Sequence, residues 1–536
     1  MSQRTGHPHS DRKDGLQRAK SGIIRGADGG KTVLYKSVAA LVAALARRNW
    51  GKSVLTDMMR TLGAILCRCL AVAACTCLFL TSAHAAEAGL DGRSLSLIWV
   101  LPFVILLLSI AIMPVAAAEF WHHNYGKVAA ACAIAFIVPA IAVHGFAVTL
   151  HDVLHAMLLE YVPFVILLLT LFTVAGGVVV RGNLHGSPAL NTGIIALGTA
   201  FASVAGTTGA SMLLIRPLIR ANDNRRHNVH VIVFFIFLVG NIGGSLTPLG
   251  DPPLFLGFLK GVDFFWPTVN LSMPMLLLVA ILLTLFYAID WYCYSIDDTR
   301  PQVADPTPDS RIRIDGWVNV ALLGAVVVAV LMSGVWKPGV AFDIAGIKVE
   351  LQNIVRDIAL LAIAWASLKL TRPGSREANG FSWGPIIEVA KLFAGIFVTI
   401  IPAIAILKAG STGALGPVVD LVSGADGKPD NVMYFWLTGI LSSFLDNAPT
   451  YLVFFNLAGG DAAALMGPLS QTLVAISAGA VFMGANTYIG NAPNFMIKAI
   501  AEERGIKMPS FFGYMAWSMA ILLPCFVVIT VLFFGD

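Results

Sequence analysis

Charged residues are scarce in this chain of 536 amino acids: only 12% are Asp, Glu, Lys or Arg, whereas 57% are hydrophobic. The mean hydropathy of +0.78 excludes an ordinary soluble protein, in which about a quarter of the residues are charged. The small net charge of +5 bears on membrane topology and does not indicate nucleic acid binding. We therefore expect a membrane protein with no nucleic-acid partner.

Cysteine is also scarce, and the seven cysteines show neither metal-binding spacing nor a disulfide framework. The common hydrolase motifs H-E-x-x-H and G-x-S-x-G are missing as well. Two aspartates in apolar segments and the triplet Pro188–Leu190 superficially resemble an intramembrane aspartyl protease, but Pro248 removes the G-x-G-D form. The sequence therefore predicts neither an enzyme nor a bound cofactor.

The N-terminal region differs from the rest of the chain. Residues 1–57 are polar and basic without a clear helical period, and we interpret them as a leader that is either foreign to the native protein or a cytoplasmic tail. Residues 58–85 combine a basic start, an apolar run and an A-x-A sequence, which predicts a cleaved secretory signal. The alternative is an uncleaved first helix in the same segment. Both interpretations place residue 86 outside the membrane.

Apolar runs of membrane-spanning length recur between residue 86 and the C-terminus. Ten full spans are predicted near residues 95–117, 128–149, 161–180, 229–259, 271–292, 315–335, 354–370, 384–407, 472–500 and 511–534. With residue 86 outside, the inner loops carry more Lys and Arg than the outer loops, as the positive-inside rule requires. We expect a multi-pass protein of a bacterial-type inner membrane, with the lipid bilayer as its partner and the C-terminus outside.

Two further apolar segments, residues 191–220 and 432–457, fit poorly as single crossings. The charge bias of the loops is kept only if each segment returns to the side from which it entered. A dozen helical residues reach roughly 18 Å, which is enough for the middle of a hydrocarbon core about 30 Å thick. Each segment is therefore predicted to be a re-entrant hairpin.

Two matched breaks interrupt the longest apolar segments. They are Thr247–Pro253 and, 240 positions later, Thr487–Pro493. Their Gly, Pro, Asp and Asn residues disfavour a continuous helix. The same offset relates the two predicted hairpin tips, Gly206–Ser211 and Asp446–Tyr451. Paired breaks of this kind point to the binding site of a secondary transporter.

The predicted fold is an all-α polytopic membrane protein with an inverted repeat. Each repeat contains five transmembrane helices, one of them broken, and one re-entrant hairpin. An odd number of crossings per repeat turns the second copy upside down. The first repeat is assigned to residues 86–314 and the second to residues 315–536.

Asp251 in the first break and Asp446 at the second tip are the main site candidates, because a carboxylate deep in a span is costly and marks function. Pro252 and Pro253 lack the N–H groups that would bond to the carbonyls of Pro248 and Leu249, so these carbonyls add hard oxygen ligands that suit an alkali cation. Two neighbouring carboxylates could bind a proton or Na⁺ in alternation, so both are expected as transported or coupling ions. The alternative role of each aspartate is a helix cap.

Neutral polar residues surround these two aspartates in the sequence. Thr247, Asn447 and Thr450 are predicted to contribute to the cation and proton site. A supporting set consists of Thr207, Thr208, Ser211, Asn486, Thr487, Asn491 and Asn494, whose alternative role is to satisfy backbone groups. By contrast, Asp290, Arg356 and Asp357 stand at span edges, where snorkelling towards water is expected to suffice.

The motif GGSLTPLGD, which ends at Asp251, resembles the G-G-x-x-[ST]-P-x-G-D break of NhaD-type sodium:proton antiporters, and Asp446-Asn447 resembles their D-N motif. More broadly, residues 95–534 resemble the ion transporter superfamily, which also contains citrate, dicarboxylate and arsenite carriers. Those carriers have Ser-Asn-Thr-like hairpin tips, where this chain has Gly-Thr-Thr in the first copy. The resemblance implies a transport domain that moves against a scaffold, often in a homodimer.

Two functions remain open at this point. The favoured one is Na⁺/H⁺ antiport, because each repeat contributes one acid and an anionic substrate would meet repulsion. The alternative is cation-coupled transport of a citrate-like organic anion or of an arsenite-type substrate. Neutral tips and half-helix N-termini favour the alternative, since such groups can hold carboxylates.

Overall fold

The computed structural model describes residues 89–183, 185–298, 310–372, 374–424 and 428–535. The leader (1–57) and the predicted signal peptide or first helix (58–85) lie outside these described residues. All ten predicted spans, both predicted hairpins and both predicted breaks lie within them.

Helices account for most of the described residues. In chain order they are α1 Leu101–Ala116, α2 Ala118–His144, α3 Phe146–Ala156, α4 Val162–Ala175, α5 Pro188–Ala205, α6 Thr207–Ala221, α7 Val229–Leu238, α8 Pro252–Leu259, α9 Trp266–Asn270, α10 Ser272–Asp298, α11 Trp317–Val335, α12 Leu351–Leu370, α13 Ser375–Ala378, α14 Gly384–Thr399, α15 Ile401–Lys408, α16 Gly416–Leu421, α17 Asn431–Phe444, α18 Asn447–Leu457, α19 Ala462–Met466, α20 Ser470–Met483, α21 Ala492–Glu503 and α22 Phe511–Phe533. Short 3₁₀ turns lie at Leu97–Val100, Ile242–Leu246, Gly410–Thr412 and Gly484–Asn486, and a π turn lies at Met157–Tyr161.

Two small pairs of antiparallel strands connect some of the helices. Strand β1 (Val179–Asn183) pairs with β2 (Ser310–Asp315), so that Val179 lies opposite Asp315. Strands β3 (Ala341–Ile344) and β4 (Ile347–Glu350) form a hairpin between α11 and α12.

Within the described ranges, nine helices are long and apolar enough to cross a membrane, and the bent pair α14 and α15 would make a tenth. The nine include α5, an arm of the first predicted hairpin, whereas the broken segment α20–α21 is not among them. The prediction of a mainly helical, multi-pass membrane protein is confirmed.

Some predicted span boundaries are wrong. The polar and aromatic residues 119–127 separate two predicted spans, but α2 begins at Ala118 and passes through them. The next crossing starts at Phe146 instead of residue 161, and the π turn interrupts it. Aromatic and charged side chains end an apolar pattern without ending a helix, so hydropathy alone misplaces these boundaries.

The two predicted hairpin segments each consist of a pair of helices with a very short link. Only Gly206 separates α5 from α6, and its positive φ of +80° is a conformation in which glycine is favoured. Leu445 and Asp446 separate α17 from α18. The arm α5 has 18 residues, about 27 Å at 1.5 Å per residue, and is therefore longer than the predicted arm.

Both predicted helix breaks are present. Helix α7 ends at Leu238 and α8 begins at Pro252; α20 ends at Met483 and α21 begins at Ala492. Proline at the first or second position of α8 and of α21 suits a helix start, where a backbone N–H would have no partner inside the helix. Pro252 and Pro253 therefore have two effects: they prevent a continuous helix through this segment, and they form the first positions of α8.

The buried apolar side chains form two large clusters. One joins α5–α7, α10, α17, α18 and α20–α22. The other joins α1, α2, α4, α11, α12, α14 and α15, together with most of α8. The hairpins and breaks therefore belong mainly to one packing unit, and α8 lies against the other.

Candidate functional site

The two breaks fold in the same way. The hydroxyl of Thr247 donates to the carbonyl of Ser203 over 2.5 Å, and that of Thr487 donates to the carbonyl of Ser443 over 2.5 Å. Each hydroxyl also accepts a backbone N–H two residues later, at 3.1 Å and 3.2 Å. Each threonine thus ties its break to the preceding hairpin, and in this arrangement its hydroxyl is occupied by backbone groups.

Glycine makes a second equivalent feature possible in each break. A side-chain carbon at Gly250 would lie 2.1 Å from the carbonyl oxygen of Gly244, and one at Gly490 would lie 2.6 Å from that of Gly484. These distances are far below van der Waals contact, so the backbone can approach itself only without a Cβ atom. The offset of 240 positions holds for both glycines of each pair.

Asp251 lies at the centre of the polar residues that the sequence singled out. It is 2% exposed. Its Oδ1 accepts from the Thr207 hydroxyl at 3.0 Å and from Asn491 Nδ2 at 3.1 Å, and its Oδ2 accepts a short hydrogen bond from Asn447 Nδ2. These three donors are neutral, and no Lys, Arg or His of the described ranges forms an ion pair with this carboxylate.

These four residues form two pairs at the common offset. Thr207 and Asn447 each begin the second helix of a hairpin, and Asp251 and Asn491 each precede the helix that follows a break. Asp251 is therefore contacted by Asn491, its counterpart in the second break, and by Thr207 and Asn447, which correspond to each other in the two hairpins. The arrangement brings together four predicted site residues from two distant parts of the chain.

Four helix N-termini are found at this carboxylate. Helices α6, α8, α18 and α21 begin at Thr207, Pro252, Asn447 and Ala492. The first turn of a helix has unpaired backbone N–H groups and a partial positive charge, which favour a negative charge nearby. The local field therefore stabilises one anionic group at this position.

One buried side-chain oxygen beside the carboxylate is unpaired among the described residues. The Oδ1 atom of Asn447 has no hydrogen-bond partner among the described residues. The Nδ2 atom of the same amide group donates to Asp251, so this unpaired oxygen is within one side chain of the carboxylate. No cluster of three or more His, Cys, Asp or Glu side chains suited to a metal is found in the described part of the chain. A cation here would depend on one carboxylate and neutral oxygens.

Asp446 has a different role from Asp251. Its Oδ1 accepts from the backbone N–H of Ala448 at 3.0 Å, so it caps α18. Thr450 donates its hydroxyl to the carbonyl of Asp446 at 3.0 Å. Asp251, by contrast, forms no side-chain cap. Asp446 therefore has the helix-cap contact that was the alternative for both aspartates, and Asp251 does not.

The remaining predicted residues lie around this centre. Asn486 donates to Ser443 Oγ at 2.9 Å, and Asn494 donates to the carbonyls of Gly484 and Thr487 at 2.8 Å and 2.9 Å. Both asparagines therefore form hydrogen bonds within the second break and its hairpin. This agrees with the alternative role of the supporting set, which was to satisfy groups of the protein itself. Ser211 is fully buried, and its hydroxyl has no partner in the described residues.

A cavity of about 100 Å³ borders Asp251 on the side of the first hairpin. Thr207 and Thr208 line it from the hairpin, and Pro248 and Leu249 line it from the break. Much of the rest of its wall is apolar and comes from Leu167, Phe172, Phe255, Ile386 and Met496. The carboxylate is therefore next to a small space between α4, the first hairpin and α14.

The comparison with protein families decides the class of the protein. The sequence profile of the family described as "Putative citrate transport" matches residues 92–534. The chain belongs to this family. Family membership identifies a membrane transport protein of the ion transporter superfamily, and indicates a transporter and not an enzyme.

Several curated proteins are similar to this family member. A 46 kDa membrane protein of Mycobacterium leprae is 22% identical over 348 residues, which cover 63% of this chain and 75% of the relative. An uncharacterized transporter of Mycobacterium tuberculosis is 24% identical over 334 residues, which cover 60% and 71%. An uncharacterized transporter of a Synechocystis strain is 25% identical over 365 residues, which cover 63% and 75%.

Asn241 is a site residue that the sequence pattern of this family member did not reveal. Its Nδ2 donates to Asn494 Oδ1 at 2.7 Å and to the carbonyl of Ile236 at 2.8 Å, and its Oδ1 accepts from Asn491 Nδ2 at 3.2 Å. It therefore joins the first break to the second. An amide between the apolar run that ends at Val239 and the pair Gly243-Gly244 was the signal that could have revealed it.

The prediction that Asp290 snorkels to water is wrong. Its side chain is fully buried and forms an ion pair with Arg225 at 2.6 Å and a hydrogen bond with His230 at 2.8 Å. Asn191 Nδ2 donates to its other oxygen at 2.9 Å. Asn191 lies in the first arm of the first hairpin and Arg225 follows the second arm. This network therefore holds the base of the hairpin against α7 and α10.

Arg356 is also predicted to snorkel, and it too is buried, with 2% of its surface exposed. Its Nε donates to Asp357 at 2.8 Å. The position of these two residues near a span end misled the prediction, because hydropathy does not show which side of a helix faces the protein.

Proposed function

We propose that the protein is a secondary active transporter that carries a citrate-like organic anion together with a cation, H⁺ or Na⁺. One observation carries this proposal: Asp251 is a buried carboxylate with three neutral hydrogen-bond donors and, within the described ranges, no paired cationic side chain. A buried charge without a counter-charge is costly. A cation that reaches this carboxylate is therefore bound favourably.

The field of the helix N-termini couples the cation to the anion. While Asp251 is ionised, its own charge occupies the place that the four helix ends favour, and a substrate carboxylate is repelled. Once a proton or Na⁺ neutralises Asp251, the positive ends of the same helices can hold a carboxylate of the substrate. Net transport of the anion then requires the cation, and the repulsion that favoured antiport in the sequence argument disappears.

We infer that residues 86–314 and 315–536 form an inverted repeat with one re-entrant hairpin in each copy. The threonine ties, the close glycine contacts and the pairs at Asp251 all recur at one offset, which supports an approximate twofold axis through the site. Inverted repeats of this kind place the binding site of a transporter near the middle of the membrane.

The two hydrophobic clusters support a moving part and a fixed part. We assign the hairpins, the broken elements (including α8), α10 and α22 to a transport domain, and the other helices of the second cluster to a scaffold against which α8 packs. Lys260, which directly follows α8, forms an ion pair of 2.5 Å with Glu160 in the π turn of the scaffold. A movement of the transport domain would break this pair in each cycle.

Location and assembly are proposed by the same reasoning. The protein is assigned to a bacterial-type inner membrane, with residue 86 and the C-terminus outside, because the charge bias of the loops favours that orientation. A homodimer is expected from the resemblance to the superfamily.

The test is transport by the purified protein in proteoliposomes. Labelled citrate is offered with an imposed gradient of H⁺ or of Na⁺, and Na⁺, Li⁺ and K⁺ movements are measured in parallel. Gradient-driven citrate uptake above that of empty liposomes is expected. Robust cation exchange without any citrate uptake would contradict the proposal.

Na⁺/H⁺ antiport is the second candidate. Asp446 favours it, because it directly precedes Asn447, whose amide donates to Asp251, so that each repeat supplies one carboxylate to this region. In everted vesicles, antiport predicts that added Na⁺ dissipates a pH gradient in the absence of citrate. That result, together with its loss in an Asp251→Asn variant, would place antiport first.

A further inference from the structure

A groove between helices α11 and α12 has a form that suits a lipid. It encloses about 410 Å³. Apolar residues line most of it, among them Ala325, Val328 and Ala329 of α11 and Ala359 and Ile363 of α12. The polar residues Gln352 and Arg356 lie together on the first turns of α12. The groove therefore has an apolar length and a polar end.

The polar end contains one unmatched donor and one unmatched acceptor. Arg356 donates from Nε to Asp357 and from Nη1 to Asn353, but its buried Nη2 has no partner among the described residues. Gln352 donates to Glu350 at 2.6 Å, which sets the orientation of its amide, and its buried Oε1 likewise has no described partner. Both residues are more than nine-tenths buried.

These two atoms act together because Gln352 and Arg356 are four residues apart on one helix, and side chains at that spacing share a face. Unmatched polar atoms are costly where the surroundings are apolar. A ligand that presents an acceptor to the arginine and an N–H donor to the glutamine would satisfy both atoms at once.

The depth of the groove matches one leaflet of a membrane. Its polar end lies beside Trp336 at the end of α11, and tryptophan is typical of the membrane interface. From Gln352 to Ile363, α12 rises by about 16 Å at 1.5 Å per residue. This is roughly half of a hydrocarbon core about 30 Å thick. An acyl chain that starts at the interface would therefore reach the end of the groove.

We propose that this groove binds a phospholipid with an ethanolamine headgroup. The acyl chain lies along α11 and α12, a phosphate oxygen accepts from Nη2 of Arg356, and the ammonium group donates to Oε1 of Gln352. The carboxylates of Glu350 and Asp357 bond to Gln352 and Arg356, and their negative charge disfavours a headgroup with net negative charge. Phosphatidylcholine has no N–H group and cannot donate to the glutamine. This inference does not depend on the transported substrate.

Native mass spectrometry of the delipidated, purified protein tests the site. The protein is mixed with equal amounts of phosphatidylethanolamine, phosphatidylglycerol and phosphatidylcholine that carry the same acyl chains. Preferential retention of phosphatidylethanolamine, by about tenfold for 1.4 kcal/mol of headgroup contacts, is expected. Equal retention of the three lipids would overturn the proposal.

Matched variants locate the binding. Val328→Trp fills the groove and is expected to abolish the preference, whereas Val335→Trp is a control on the same helix, 77% exposed and outside the groove. Gln352→Met keeps the apolar length but removes the acceptor, so it should lower the retention of phosphatidylethanolamine to that of phosphatidylcholine. The melting temperature of each variant without lipid identifies misfolding. A correctly folded Val328→Trp variant that still prefers phosphatidylethanolamine would refute the assignment.

Discussion

Replacement of Thr207 by valine separates the role of its hydroxyl from that of its shape. The hydroxyl donates to Asp251 Oδ1 at 3.0 Å, whereas the backbone N–H of Thr207 donates to the carbonyl of Gly250 at 2.9 Å. Valine has nearly the same volume and keeps the backbone contact. The variant therefore removes one of the three donors to the carboxylate and little else.

The size of the effect follows from the hydrogen bond that is lost. A hydrogen bond to an ionised group contributes about 1.5–3 kcal/mol, and 1.36 kcal/mol corresponds to one pH unit. Without this donor the ionised form of Asp251 is less stable, so its carboxyl group remains protonated at a higher pH. Proton-coupled citrate uptake should then persist to a pH about 1–2 units higher than in the wild type.

The assay is the pH dependence of initial citrate uptake in proteoliposomes, at constant pH gradient. Thr208→Val is the matched control, because Thr208 lines the same cavity but does not bond to Asp251. A Thr207→Val profile that coincides with those of the wild type and the control, at normal melting temperature, would refute the assignment of the coupling proton to Asp251.

Three further predictions concern residues that hold the breaks and the first hairpin in place. Thr487→Val removes the hydroxyl that ties the second break to its hairpin, and should reduce the stability by about 1–3 kcal/mol; an unchanged melting temperature in detergent would contradict this. Gly250→Ala forces a carbon to within 2.1 Å of the carbonyl oxygen of Gly244, so no monodisperse protein is expected in size-exclusion chromatography, and a normal profile would be evidence against the close contact. Asp290→Asn leaves the buried Arg225 with only the more distant Asp297, at 3.9 Å, as a counter-charge, at a cost of up to about 3–5 kcal/mol; an unchanged melting temperature would show that the network is not structural.

The broken elements could be predicted because their causes are local. Proline and glycine act on the backbone of their own segment, so Pro252 and Gly250 in the first break are informative without any partner. The offset that relates Asp251 to Asn491 is visible for the same reason. The polytopic class follows from composition alone.

The contacts of the site could not be predicted, because they join residues that are far apart in sequence. Thr247 is predicted to bind a cation, but its hydroxyl is occupied by the backbone of Ser203 and Leu249. Asp251 and Asp446 look equivalent in the sequence, yet only the first accepts side chains from both halves of the chain. A single sequence shows which groups are polar and not which groups meet.

Charged residues near span ends show the same limit. Asp290 is fully buried in an ion network although its position in the sequence suggests contact with water. The direction of its side chain depends on the packing of α10 against the first hairpin. Tertiary packing of this kind overrides a pattern that is read along one helix.

The most direct test of the coupling role of Asp251 compares net uptake with exchange in the Asp251→Asn variant. Net uptake of citrate needs a change in the charge of residue 251, whereas exchange of internal for external citrate does not. The variant is predicted to lose uptake driven by a pH or Na⁺ gradient but to retain citrate exchange in proteoliposomes. Gradient-driven uptake at the wild-type rate in this variant would contradict the central role of Asp251.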